Sequence, residues 1–364
     1  MSDAPFQLLG EDGVLVDGAQ APADLDGETL VALYTHMVRQ RELDDLMLTL
    51  QRQGRIGFYG AASGQEAAVF GSGQALEERD WILPALREGG VALMRGYSLE
   101  DYLAQCFGNA ADVTHGRQMP CHYGAKAQHF ATLSSPIGTQ LPHAVGVAWG
   151  MKLRKTDAVC AAYMGDGATS ENDFHTSLDL AKRFQLPVVF ICQNNQWAIS
   201  VPVSGQTRAP SIAARAKAFD MPARRVDGND ILACYQAVKE AVDRARAGGG
   251  PTFLELLTYR MGAHSTSDDP SRYRDEGITE AWKQRDPITR FRAYLVAQGH
   301  LSDADADALT ARLGIEIRET LSQVEAADPQ PSLGSMFDDV FAERTWLLEE
   351  QAETAAQYPL TAPH

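Results

Sequence analysis

The sequence predicts a doubly wound α/β fold on a mainly parallel sheet, preceded by an N-terminal arm and followed by C-terminal helices. Two strand–helix–strand units carry the prediction. In the first, 158–164 reads as a buried strand and Gly165-Asp166-Gly167 as a turn. A helix over 171–185 follows, with Phe174, Leu178 and Ala181 on one side, and after Pro187 the run 188–191 is a second buried strand. In the second unit Arg225 and Val226 lead into a helix over 231–247 capped by Asp227, Asn229 or Asp230, and 252–259 is a strand. Parallel strands joined by helical crossovers place a ligand at their carboxyl ends, here the loops after Met164, Ile191 and Tyr259.

The remaining elements follow from spacing. Residues 1–29 mix Gly, Pro and Asp without periodicity and read as an arm lying on the surface or on a partner. Leu30, Leu33, Tyr34, Met37 and Val38 fall at helical spacing, the pattern runs through Leu46 and Leu50, and Gly54 supplies a stop. The stretch 56–73 is rich in Gly and Ala, which predicts close backbone approach. After Pro287 a helix shows Phe291, Tyr294 and Leu295 on one face, and a charged helix follows Ser302. The expected division is an arm at 1–29, the α/β domain at 30–300 and a helical extension with tail at 301–364.

Composition excludes several function classes. Lys and Arg number 32 against 48 Asp and Glu, a net charge of −16, which opposes nucleic acid binding through clustered cations. With 45% hydrophobic and 22% charged residues the chain can bury a large core. No run approaches the roughly 18–20 apolar residues of a membrane span, and the N-terminus shows neither a signal core nor a mitochondrial transit pattern. The five cysteines are odd in number and scattered, as expected for buried thiols in a reducing compartment. A bacterial cytoplasmic setting is the expectation.

The chemistry concentrates at Gly165-Asp166-Gly167. A strand end followed by glycines and a helix start offers N–H groups to a phosphate. A carboxylate there repels phosphate unless a cation lies between them, so Asp166 points to a bridging Mg²⁺. Asn194-Asn195 closes the neighbouring strand and can add an amide oxygen and a following carbonyl. A plain tight turn is the structural alternative for the glycines alone. A dinucleotide site is another, but the third glycine of G-x-G-x-x-G is missing and the second strand ends in Gln193 where an acidic residue is needed. No G-K-[ST] follows a glycine loop, so there is no P-loop.

Glycine-Asp-glycine joined to Asn-Asn resembles the thiamine diphosphate motif, in which a divalent metal holds the diphosphate. Further segments extend the resemblance: 51–56 (QRQGRI), 116–120 (GRQMP), 134–140 (SSPIGTQ), 225–230 (RVDGND) and 264–269 (HSTSDD). Together they resemble the alpha subunit of the thiamine diphosphate-dependent, decarboxylating component of 2-oxo acid dehydrogenase complexes, more the branched-chain (2-oxoisovalerate) type than the pyruvate type, from about Leu30 onward.

The resemblance implies a thiamine diphosphate-binding fold and a set of roles. Asp166, the Asn195 side chain and the Trp197 carbonyl would hold Mg²⁺, and Arg87 the diphosphate, beside Gly165, Gly167 and Ala168. Ser135 and Ile137 would meet the aminopyrimidine, and Ser134, Pro136, Thr139 and Gln140 resemble a K⁺ site. His264 would be catalytic, with Phe58, Tyr59, His122 and His129 in the substrate pocket. Leu86 stands where the family has a tyrosine and Gln193 where it often has an arginine, so two groups that serve the diphosphate are missing.

Implied partners are a beta subunit in an alpha2-beta2 heterotetramer, a lipoyl-bearing acyltransferase component and a small 2-oxo acid, with neither nucleic acid nor membrane. The implied activity is oxidative decarboxylation of branched-chain 2-oxo acids with acyl transfer to a lipoyl protein. A pyruvate dehydrogenase alpha subunit, a non-catalytic binding subunit and an NAD-dependent oxidoreductase are the alternatives.

Overall fold

A computed structural model describes residues 4–327, 333–338 and 341–358. The rest of the predicted arm and extension lies outside the described residues. Five strands, β1 (Trp81–Leu83), β2 (Cys160–Gly165), β3 (Val188–Asn194), β4 (Ala223–Asp227) and β5 (Thr252–Leu257), form one parallel sheet in the order β1-β2-β3-β5-β4. Helices cover both faces, so β2 and β3 are apolar along nearly their whole length. Successive β2 residues still divide by face. Ala161 and Tyr163 join the core under helices Gly27–Arg52, Glu66–Gln74 and Ile231–Arg246, while Cys160, Ala162 and Met164 pack beneath Gln140–Arg154 and Asn172–Arg183.

Both predicted strand–helix–strand units are present, with ends moved by a few residues. Asp230 is the cap of the second helix, accepting the N–H groups of Leu232 and Ala233 at 3.1 Å each. The Gly165-Asp166-Gly167 turn does not open directly into a helix: a single 3-10 turn, Gly167–Ser170, stands between it and Asn172–Arg183. The first helix is Gly27–Arg52, capped by Asp26, and Gly54 beyond it takes a φ of +74°. The expected close approach in 56–73 is seen at Gly71, where a Cβ would stand 2.7 Å from the Ile231 carbonyl oxygen. Sequence reasoning assigned neither β1 nor the helix Gln140–Arg154.

The arm folds onto its own sheet. Phe6 donates to the Arg225 carbonyl at 2.8 Å and accepts from Asp227 N–H at 2.9 Å, and the Asp230 carboxylate takes the N–H groups of Leu8 and Leu9 at 2.6 and 2.7 Å. The helix after Ser302, Asp303–Glu325, buries Leu309, Leu313, Ile317, Leu321 and Val324 in the core shared with the first helix. All five cysteines are free and buried. Among the described residues no helix is long and apolar enough to cross a membrane.

Candidate active site

Register fixes the centre of the site. β2 and β3 pair with Gly165 beside Gln193, so Asp166 leaves β2 and, after Asn194, Asn195 leaves β3 at the same carboxyl edge of the sheet. A cavity of about 300 Å³ opens there, lined by Gly165, Asp166, Gly167, Ala168, Gln193, Asn195 and Trp197 together with Arg87, Ser134, Ile137, Gln140 and His264. Gly167 must be small, because a Cβ on it would meet that of Ala198 at 2.8 Å, where the ribbon carrying Trp197 crosses. At Gly165 a Cβ would meet nothing within 4 Å, so the absence of a side chain leaves room on the cavity wall.

Asp166 is 1% exposed, and among the described residues no Lys, Arg or His lies in ion-pair range of it. Its carboxylate accepts from the Gln206 amide at 2.6 Å. Burial raises its pKa, opposed by that bond, by its own backbone N–H, by the charge of Arg260 and by the N–H of Asn195. A buried carboxylate without a direct ion-pair partner suits a cation. The Asn195 amide oxygen accepts only the long 3.2 Å bond from Trp197 N–H, and the Trp197 carbonyl only a 3.3 Å bond from Arg260. Among the described residues no group of three or more His, Cys, Asp or Glu side chains could hold a metal. One carboxylate with amide and carbonyl oxygens is instead the donor set of a Mg²⁺ that also takes phosphate oxygens and water. The residues present fit that ion.

Arg87 faces the cavity from the opposite wall. It is 7% exposed and forms no ion pair among the described residues, spending its guanidinium on the carbonyls of Ala61 and of His264, the latter at 2.8 Å. Burial, reinforced by nearby Arg260, pulls its pKa down to about 10, still cationic at neutrality. An unpaired buried guanidinium is a receptor for phosphate oxygens.

His264 is held by its N–H to Asp268 at 2.8 Å, and its Nδ1 lies 3.5 Å from Arg87 Nη2. Burial, then the charges of Arg87 and Arg260, push its pKa down to about 4, so the ring is neutral at pH 7. Arg260 also bonds the Ile199 carbonyl at 2.7 Å and the Tyr273 hydroxyl at 2.8 Å, and Tyr273 donates to Asp268. The loop bearing His264 is thus tied to the loop bearing Trp197.

The other predicted site residues are distributed unevenly. Ile137 is 62% exposed at the cavity mouth. Ser135, next but one in the chain, is not on the cavity wall, and its hydroxyl lies 2.6 Å from His122 Nε2. The Thr139 hydroxyl lies 3.0 Å from both Ser134 Oγ and the Pro136 carbonyl, gathering three oxygens, whereas the Gln140 amide is turned to the Tyr163 carbonyl at 2.9 Å.

None of the four predicted pocket residues lies on the cavity wall, His122 included. Phe58 packs against the core, and Tyr59 is 1% exposed with its hydroxyl 2.9 Å from both Asp44 and Tyr102. The placement of His129 corrects the pocket assignment more plainly. Its carbonyl accepts from Ile82, its ring stacks on Trp81 at 5.1 Å, and Nδ1 bonds the Glu78 carbonyl, at the amino end of β1 and the wrong end of the sheet.

Sequence reasoning missed Gln65 as a site residue and read Gln193 only as a departure. Gln193 is 2% exposed on the cavity wall, and among the described residues neither its Nε2 nor its Oε1 has a partner. A buried amide left unsatisfied is costly, and on a cavity wall it is free to bond a ligand. Gln193→Arg restores a second cation at the end of β3. It is expected to tighten thiamine diphosphate binding about tenfold, the worth of one charged hydrogen bond less the cost of burying the guanidinium. Titration calorimetry on the assembled enzyme checks this, and weaker binding by the variant would refute it.

Fold and cavity together define an α/β chain in which a buried carboxylate, Asp166, and a buried guanidinium, Arg87, line one cavity at the carboxyl edge of a parallel sheet. The family described as dehydrogenase E1 component matches residues 34–332, and the chain belongs to that family, the thiamine diphosphate-dependent decarboxylating components of 2-oxo acid dehydrogenases. It is 44% identical over 351 residues to the 3-methyl-2-oxobutanoate dehydrogenase subunit alpha of Mycobacterium tuberculosis, covering 96% of this chain and 92% of that one. It is 40% identical over 354 residues to the human mitochondrial 2-oxoisovalerate dehydrogenase subunit alpha, covering 97% and 79%. With subunit alpha 2 of the same mitochondrial enzyme from Arabidopsis thaliana it shares 43% over 337 residues, covering 92% and 71%. The dinucleotide alternative falls with the family match.

Proposed function

We propose that this chain is the alpha subunit of a branched-chain 2-oxo acid dehydrogenase, acting on 3-methyl-2-oxobutanoate and related oxo acids and passing the acyl group to a lipoyl-bearing acyltransferase component. The observation that carries the reading is Asp166 and Asn195 at adjoining strand ends, opening on one cavity with Arg87 and His264. The names of the relatives support the substrate class.

In this reading Asp166, Asn195 and the Trp197 carbonyl hold Mg²⁺, and Arg87 receives the diphosphate beside Gly165, Gly167 and Ala168. Ser135 and Ile137 meet the aminopyrimidine, and Ser134, Pro136, Thr139 and Gln140 hold K⁺. Bound thiamine diphosphate supplies the carbon nucleophile and the electron sink for decarboxylation. The protein supplies charge, orientation and a hydrogen-bond donor. Arg87 can only donate, so its approach to His264 Nδ1 leaves the proton of the neutral ring on Nε2. From there the Nε2–H can donate a hydrogen bond to an oxygen in the cavity and steady charge that develops on it.

The wall opposite the cavity mouth, and a glutamate against the aminopyrimidine, come from a beta subunit, two of each chain forming the heterotetramer. Buried free thiols agree with a cytoplasmic setting. Co-expression with a beta-type chain and turnover with lipoyl protein test the reading. We expect kcat/KM for 3-methyl-2-oxobutanoate to exceed that for pyruvate about tenfold or more, the worth of the added methyl groups in an apolar pocket. Equal or better use of pyruvate would overturn the branched-chain assignment.

A further inference from the structure

The metal-facing amide of Asn195 has an orientation that its neighbours decide. Trp197 contributes a backbone N–H, which can only donate, so the Asn195 atom facing it at 3.2 Å is the oxygen. The nitrogen then faces Gln65 at 3.0 Å, and the Gln65 atom that receives it is its own oxygen. That leaves Gln65 Nε2, which has no partner among the described residues although Gln65 is 0% exposed and lines the cavity. A chain of two amides thus starts at a main-chain donor and ends in an unused donor at the place proposed for an anion.

Gln65 is itself rigidly placed. Gly64 before it has a φ of +91°, and a Cβ there would stand 2.5 Å from the Tyr259 carbonyl oxygen. The buried Asp44 carboxylate accepts the Ala62 N–H and the Ser63 hydroxyl at 2.8 Å each, pinning the same loop. That loop also presents the Ala61 carbonyl to Arg87. One short segment therefore supports the residues proposed for the metal and for the diphosphate.

We infer that Gln65 is a positioning residue that locks the Asn195 amide with its oxygen toward the metal and turns its own N–H toward the diphosphate. The inference rests on the proposed function. It assigns Gln65 a role in cofactor loading, not in proton transfer.

The assembled alpha–beta enzyme is titrated with thiamine diphosphate at graded Mg²⁺, reading heat and intrinsic tryptophan fluorescence. Gln65→Met removes the acceptor and is expected to raise the half-saturating Mg²⁺ about tenfold or more, as loss of a supporting hydrogen bond to a ligand does. Gln65→Glu keeps the acceptor for Asn195 but faces the diphosphate with an oxygen. It is expected to keep Mg²⁺ dependence within about threefold while weakening thiamine diphosphate about tenfold. A purely packing role would not separate the two ligands in this way.

Unchanged Mg²⁺ dependence in Gln65→Met, or the same loss in both variants, overturns the inference while leaving the parent reading intact. If Gln65→Met does not assemble, Gln65→Glu decides alone, and a loss confined to Mg²⁺ refutes the assignment. A wild-type enzyme that binds no thiamine diphosphate with Mg²⁺ overturns the inference and the proposed function together.

Discussion

Asp166→Asn is expected to abolish Mg²⁺-dependent thiamine diphosphate binding while leaving the empty protein at least as stable as wild type. The two halves have one cause. Asp166 is buried, and burial holds its pKa above the ordinary carboxylate value. A carboxyl whose folded pKa is raised contributes stability that is complete below the unfolded pKa of 3.8 and is lost as pH rises through the folded value. Above its folded pKa the ionised side chain therefore burdens the empty fold, and asparagine relieves that burden while still accepting from Gln206. With a cation bound, the same charge becomes the main attraction. Removing one partner of a buried charge pair costs about 3–5 kcal/mol, or roughly 10²- to 10⁴-fold in affinity. Thermal unfolding with and without Mg²⁺ and thiamine diphosphate reads both effects. A variant that the cofactor still stabilises as it does wild type would count against the role of Asp166.

His264→Ala is expected to cut acyl transfer to lipoyl protein by about 10²- to 10³-fold, the range for a lost hydrogen-bond donor to developing charge, with the dissociation constant of thiamine diphosphate changed less than about threefold. Arg87 bonds the backbone carbonyl of His264, not its ring, so the arginine stays placed when the ring is removed. The pH behaviour is also specified. With its pKa pushed down to about 4, this ring stays neutral and adds no inflection to kcat/KM between pH 5.5 and 8. Its depressed pKa contributes stability that is present above 6.5 and lost as pH falls from 6.5 toward 4. The alanine variant should lose less stability than wild type over that interval. Full acyl transfer by the variant would remove His264 from the chemistry.

What could be read from the sequence was what adjacent residues decide. β2 and β3 are unbroken apolar runs bounded by turn residues, and Asp166 and Asn195 sit immediately past them, so strand ends and candidate ligands came from the same pattern. The first helix was legible because Leu30, Leu33, Tyr34, Met37 and Val38 share a face, and all five are buried.

β1 escaped because three residues are too few to show a period. Gln140–Arg154 escaped because Gly146 and Gly150, both outside its buried face, are poor helix formers and mask the pattern of Leu141, Ala144, Val145, Ala148 and Met151. The arm was left without a place because its seat is made by Asp230 and Arg225, more than two hundred positions away. Gln65 was illegible for the same reason, since its partner Asn195 is 130 positions on. His129 was placed in the pocket by residue type, yet the pairing of its carbonyl with Ile82 fixes it at the opposite end of the strand. Resemblance supplied roles for Ser135, Ile137 and the 134–140 oxygens that spacing alone does not reach.

The most direct measurement is electron paramagnetic resonance of Mn²⁺ substituted for Mg²⁺ in the assembled alpha–beta enzyme. We predict one tightly held Mn²⁺ per alpha chain, present only with thiamine diphosphate and absent from Asp166→Asn. An undiminished Mn²⁺ signal from Asp166→Asn, or tight Mn²⁺ that ignores the cofactor, would contradict the account.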